Sequence, residues 1–83
     1  MPLIFEGRSA RLVGQVGVED AETLLVWLAD QEAATVDLED CEHIHAAVFQ
    51  ALLVSRIEHF KPPRDGFMAG YVFPLLQRER SEA

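Results

Sequence analysis

Apolar residues recur at two different spacings along this chain, and the order in which those spacings follow one another limits the fold. In Ser9-Ala10-Arg11-Leu12-Val13-Gly14-Gln15-Val16 they alternate, with Ala10, Leu12 and then Gly14 or Val16 on one side, as in a strand with one buried face. Gly17 ends that run. From Val18 the spacing changes to threes and fours: Val18, Ala21, Leu24, Leu25 and Leu28 make one helical stripe, and the acidic first turn suits the positive end of a helix dipole. Trp27 stands off that stripe, where it either widens the packed face or anchors an interface. Ala33 to Leu38 is a short apolar segment between acidic stretches, expected as a central strand with Asp37 near its C-terminal end, where ligands and partners tend to meet α/β sheets. Glu39 to Ile44 reads as a loop. A second helix is predicted from Ala46 to Phe60, with Ala46, Phe49, Leu53, Ile57 and Phe60 on its core side, Val48 and Leu52 widening the apolar arc, and Pro62 and Pro63 ending it. Leu3 to Glu6 reads as an edge strand closed by Gly7, Arg64-Asp65-Gly66 as a turn, Phe67 to Phe73 as a strand or bent strand, and Pro74 to Arg80 as a terminal helix. The order strand, strand, helix, strand, helix, strand, helix predicts an α/β fold. It implies a small mixed β-sheet with helices packed on one face, in a single domain over residues 1–83.

Charge narrows the partners. Seven Lys or Arg against fourteen Asp or Glu leave a net charge of −7, which disfavours nucleic acid and anionic membrane surfaces. The charges are also segregated. No Lys or Arg lies between Arg11 and Arg56, a stretch that carries Glu19, Asp20, Glu22, Asp30, Glu32, Asp37, Glu39, Asp40 and Glu42. This is either ordinary solvated surface or an acidic face that steers a basic partner. The single cysteine, Cys41, excludes an internal disulfide and suits a reducing cytoplasm. No apolar run approaches a membrane span, and the first residues lack the features of a signal peptide, so membrane insertion is not expected.

Cys41-Glu42-His43-Ile44-His45 is the cluster closest to chemistry. In an extended segment alternate residues share a side, which would let Cys41, His43 and His45 converge as zinc or copper ligands. Against this, structural metal sites draw ligand pairs from two segments, and the only other histidine is His59. A loop with a buried thiol and partly exposed imidazoles is the competing expectation, so no metal and no cofactor is assigned. His45 falls at the predicted start of the second helix, where histidine is not a favoured cap. Neither a nucleophile elbow nor a phosphate-cradling glycine loop is present, and the chain is expected not to be an enzyme.

Three segments carry a family resemblance: Ala10-Arg11-Leu12-Val13-Gly14-Gln15-Val16, Val36-Asp37-Leu38, and Ile44-His45-Ala46-Ala47-Val48 followed by Leu52-Leu53. Together with the element order they resemble the STAS domain of bacterial anti-sigma-factor antagonists and sulfate-transporter cytoplasmic regions, over roughly residues 9 to 57. The resemblance implies a cytoplasmic regulatory module that binds a protein partner, such as a regulatory kinase, a signalling protein or a transporter component. Where that family carries its phosphorylated Asp-Ser-Ser-Gly segment, this chain has His45, Ala46, Ala47 and Val48, and no Ser or Thr occurs between Thr35 and Ser55. The implied module therefore lacks the serine switch at this loop. The expected contact surface is His43, His45, Ala46, Ala47 and Gln50, bordered by the negative charge of Asp37 and Asp40. The chain is shorter than is usual for the family, which implies a missing terminal element and an edge that a second copy would cover. A structural homodimer or a subunit of a larger complex is the alternative reading.

Overall fold

The computed structural model describes residues 2–81 of the 83. Strand β1 (Leu3–Glu6) and strand β2 (Ser9–Leu12) form a hairpin in the register Glu6↔Ser9, closed by Gly7 and Arg8. Gly7 takes φ +59°, the positive value that the first central residue of such a tight hairpin turn needs. A second glycine, Gly14 at φ +68°, follows a break at Val13, so the predicted strand Ser9–Val16 is two pieces: β2 and then β3 (Gly14–Val16). Helix α1 (Val18–Ala29) comes next, then β4 (Ala34–Asp37), β5 (Cys41–Ile44), α2 (Ala46–Val54), β6 (Ile57–Lys61) and α3 (Phe73–Ser81).

The sheet order is β1-β2-β4-β6, antiparallel between β1 and β2 and parallel beyond, while β3 and β5 form a two-stranded parallel extension. Helix α1 lies beside α2, and α2 beside α3. Burial alternates along β2 and β4. Leu3, Ala10, Leu12, Ala34, Val36 and Ile57 turn inward and join Leu24, Leu28, Val48 and Leu52 of the helices in one core. On the other side of the sheet Arg11, Asp37 and Lys61 stand in register on adjacent strands, an open and polar surface. Over the described residues the result is a small α/β fold with a mixed sheet and three helices. Among the described residues, no helix is long and apolar enough to cross a membrane.

Four expectations are corrected. Glu39 to Ile44 is not all loop, because Cys41–Ile44 pairs with β3. The second helix ends at Val54 instead of Phe60, and Ile57–Lys61 becomes the last strand, paired with β4. The core side of that helix is Val48, Ala51 and Leu52; Phe49 and Leu53 are half-buried and Ala46 is exposed. Phe67 to Phe73 is helical. Asp65 opens this helix by accepting from the Phe67 and Met68 backbone N–H groups, both at 3.1 Å. Met68–Val72 then widens into a π-helical turn, in which the Phe73 N–H donates to Met68 O five residues back. Pro74 accounts for the widening, since it has no N–H to give and its ring would clash with the carbonyl of Gly70 in a regular α-helix. The segment read as a strand therefore supplies Met68 to the core from a helix, and Leu76 joins it from the terminal helix, which does cover the predicted Pro74–Arg80.

On α1 the expected stripe is buried at Ala21, Leu24 and Leu28 but exposed at Val18 and Leu25. Trp27 packs against β1, its ring stacked on Phe5 with centroids 4.9 Å apart, which is the wider-face reading and not the anchor.

Candidate functional site

Strands β3 and β5 run parallel and each leads straight into a helix, so the N-termini of α1 and α2 open side by side at one end of the molecule. The crossing is fixed by the backbone: the His45 N–H donates to Val16 O at 2.9 Å, and at the far end of the pair the Gly14 N–H donates to Asp40 O at 2.8 Å. Ile44 is the last residue of β5, His45 caps α2, and Ala46, Ala47 and Val48 are its first turn. Ile44 and Val48 point into the core, whereas His45 and Ala46 are exposed and Ala47 is half-buried. The predicted strand-to-helix corner is thus a surface feature with two methyl groups as its floor.

His45 caps α2 through its ring: Nδ1 accepts from the Ala47 N–H at 3.0 Å, satisfying one of the helix's free donors. An imidazole does this less well than a carboxamide or hydroxyl. His45→Asn is expected to raise stability by about 0.5 kcal/mol and His45→Ala to lower it by about 0.5–1 kcal/mol, read as urea midpoints. Equal stability of all three chains would show that the cap contributes nothing.

His43 and His45 share a hollow of about 350 Å³ with Gln15, Gly17, Glu19 and Asp20, at the start of α1. Asp20 closes that start by accepting from the Gly17 N–H at 3.0 Å. On the other side, Ala46 and Gln50 line a second hollow of about 400 Å³ with Phe49, Phe67, Tyr71 and Leu75. Phe67 and Tyr71 are more than half exposed, with ring centroids 5.4 Å apart. The structure therefore gathers His43, His45, Ala46, Ala47 and Gln50 at one corner. It adds the aromatic pair Phe67 and Tyr71, which the sequence reading had placed in a strand.

Asp37 and Asp40 do not border this corner. Asp37 ends β4 and Asp40 immediately precedes β5, so the length of β5, roughly 13 Å, lies between them and His45. The acids beside the histidines are Glu19 and Asp20. Asp37 serves its own turn, its Oδ1 accepting from the Glu39 N–H at 2.9 Å. Asp40 pairs with Arg11, and Arg64 approaches at 3.9 Å. The hydrogen bond from the Arg11 guanidinium holds the Asp40 carboxyl below its ordinary range and raises Arg11 in turn.

The convergence expected of Cys41, His43 and His45 fails for a local reason. Gly14 pairs with Cys41 but Gln15 pairs with His43, so Glu42 is an extra residue in the ladder and the alternation slips. Cys41 consequently faces the core, fully buried, with its thiol directed to His43 O at 3.7 Å, while His43 faces solvent. Burial pushes the thiol up to about 11, so it stays protonated, the form that neither attacks nor ligates. Among the described residues, no three His, Cys, Asp or Glu side chains are grouped as a metal ion requires.

No protein-family model matches the sequence, and no curated protein is significantly similar to it.

Proposed function

We propose that this chain is a non-enzymatic protein-interaction module of the STAS type, acting in the cytoplasm and not switched by serine phosphorylation at its strand-to-helix corner. The observation that carries the reading is the corner itself. A parallel strand delivers His45, Ala46 and Ala47 to the surface at the start of α2, where two alanines permit close approach of a partner backbone and offer no hydroxyl to a kinase. The element order and the family-like segments at residues 9–16, 36–38 and 44–48 support the STAS assignment. A regulatory kinase, a signalling protein or a transporter component of a bacterial cell is the partner class that follows. The hollow lined by Ala46, Gln50, Phe67 and Tyr71 adds the aromatic and apolar area from which interface anchors are built.

Ala46→Arg tests the surface, since the side chain is exposed at the first helical position and its replacement leaves the core untouched. Affinity capture from the source cell, quantified against wild type, is expected to lose the specific partner at least about tenfold, as for a bulky charge at the centre of an interface. Undiminished recovery by a folded Ala46→Arg chain overturns the assignment.

Homodimerisation is the second reading, favoured by one observation: among the described residues, the exposed large apolar side chains other than Ile4 lie on the helical layer. Light scattering decides it, because a chain that remains monomeric at about 1 mM has no self-associating face of consequence.

A further inference from the structure

The helical layer carries a second hollow, of about 260 Å³, between α1 and α2. Its floor is small and apolar, Ala21, Ala47 and Ala51, and its walls are Leu25 and Val54, which are 41% and 72% exposed. Gln50 forms the ridge that separates it from the aromatic hollow beside α3. A trough between two helices with a floor of alanines is shaped for a third helix laid along it.

Charge identifies which kind of helix. Neither α1 nor α2 contains a Lys or Arg, and none occurs from residue 12 to residue 55. Glu22 lines the trough, and Glu19 stands three residues before it on the exposed side of α1, with exposed Val26 four residues after it. The trough is therefore apolar at its base, the one charged side chain lining it is Glu22, with Glu19 one turn away, and neither helix offers a cation. A second copy of this chain, docked face to face, would oppose Glu19 and Glu22 to themselves, so the same charges that attract a cationic helix disfavour self-pairing here. Taking the chain as the interaction module described above, we propose that the trough between α1 and α2 receives an amphipathic helix of the partner protein, its apolar stripe bordered by Lys or Arg.

Two designed peptides of about 18 residues, each with the same leucine stripe and flanked by lysines in one and glutamates in the other, test this by amide NMR titration of the whole isotope-labelled chain. The lysine peptide is expected to shift Glu22, Leu25, Ala47, Gln50 and Val54 saturably. The glutamate peptide should bind at least about tenfold more weakly, as should the lysine peptide after Glu19→Lys with Glu22→Lys or in about 0.3 M salt. Equal binding of both peptides, or shifts centred on the acidic turn Asp37–Glu42, overturns the assignment. So do shifts at these residues on concentrating the chain alone, which would assign the trough to a second copy. The outcome is separable from that of the corner: a silent trough with partner loss in Ala46→Arg refutes only this step. An occupied trough with full recovery by Ala46→Arg refutes only the corner.

Discussion

Arg80→Ala lowers the unfolding free energy by about 3 kcal/mol, and the melting temperature of a chain of this size by roughly 15 °C. The guanidinium donates to three backbone carbonyls, those of Leu52, Ser55 and Ile57, the last two at 3.1 and 3.0 Å. Two of these belong to the end of α2 and the third to the start of β6, so one side chain from α3 satisfies the chain where a helix turns into a strand. Its plane also lies over the Phe60 ring, 5.3 Å from the centroid, and burial lowers its pKa. Removing it leaves several half-buried carbonyls unpaired, which costs more than the bonds contribute net. A lysine keeps the charge but loses the planar fork that reaches three acceptors at once, so Arg80→Lys is expected to recover less than half of the loss. Chemical denaturation of the three chains measures this; a loss below about 1 kcal/mol in Arg80→Ala would mean that water replaces the guanidinium without penalty.

The same contact explains why the end of α2 escapes a reading of the sequence. Ile57 and Phe60 continue the spacing of Phe49 and Leu53, and before Pro62 nothing but a single serine, Ser55, interrupts the pattern. What stops it is Ser55, extended at the helix end with its hydroxyl bonded to Ala51 O at 2.6 Å, together with the distant Arg80. A terminator more than twenty residues away in sequence leaves no periodic trace. By contrast the starts of α1 and α2, the edge strand Leu3–Glu6 and the central strand were legible, because each depends on alternation or on a residue beside it. The terminal helix was legible over Pro74 to Arg80, and its earlier turns from Phe67 were legible in principle. Phe67, Tyr71 and Leu75, and Met68, Val72 and Leu76, recur at intervals of four, but Gly70 and the run of β-favouring residues around it pointed to a strand.

For the candidate site the consequence is uneven. The corner Ile44–Val48 needed only the change of period at Ala46 to be found, and it stands at a strand-to-helix junction. The aromatic hollow depends on α3 lying against α2, so misreading residues 67–73 hid Phe67 and Tyr71. Asp37 and Asp40 are near the corner in sequence but not beside it in the fold. Because Cys41–Ile44 is extended, it carries the corner away from them. Glu22 beside the trough is visible in the sequence only as part of a stretch without Lys or Arg, whose meaning requires knowing that α1 and α2 lie side by side.

Between pH 9 and 11 wild type is expected to lose about 2 kcal/mol more stability than Cys41→Ala, the difference following from the thiol alone. In the folded chain burial lifts Cys41 from an ordinary 9.0 to about 11, whereas unfolding exposes it and restores the ordinary value. Over that window the unfolded chain sheds a proton that the folded chain retains, so rising pH draws the equilibrium toward unfolding. Below pH 9 both states hold the proton and the term vanishes. Cys41→Ala pays a cavity cost at every pH but has no thiol to titrate, and the remaining groups are common to both chains, so the difference in slope isolates Cys41. Parallel pH profiles for the two chains would place the thiol in contact with water. The same burial requires a disulfide reagent to label native Cys41 no faster than the chain opens, a rate that rises with urea in step with unfolding. A thiol reached only through unfolding cannot work with His43 and His45 on the surface, so whatever these two imidazoles recognise, they do so with the carboxylates of α1 and the alanines of α2 as their neighbours.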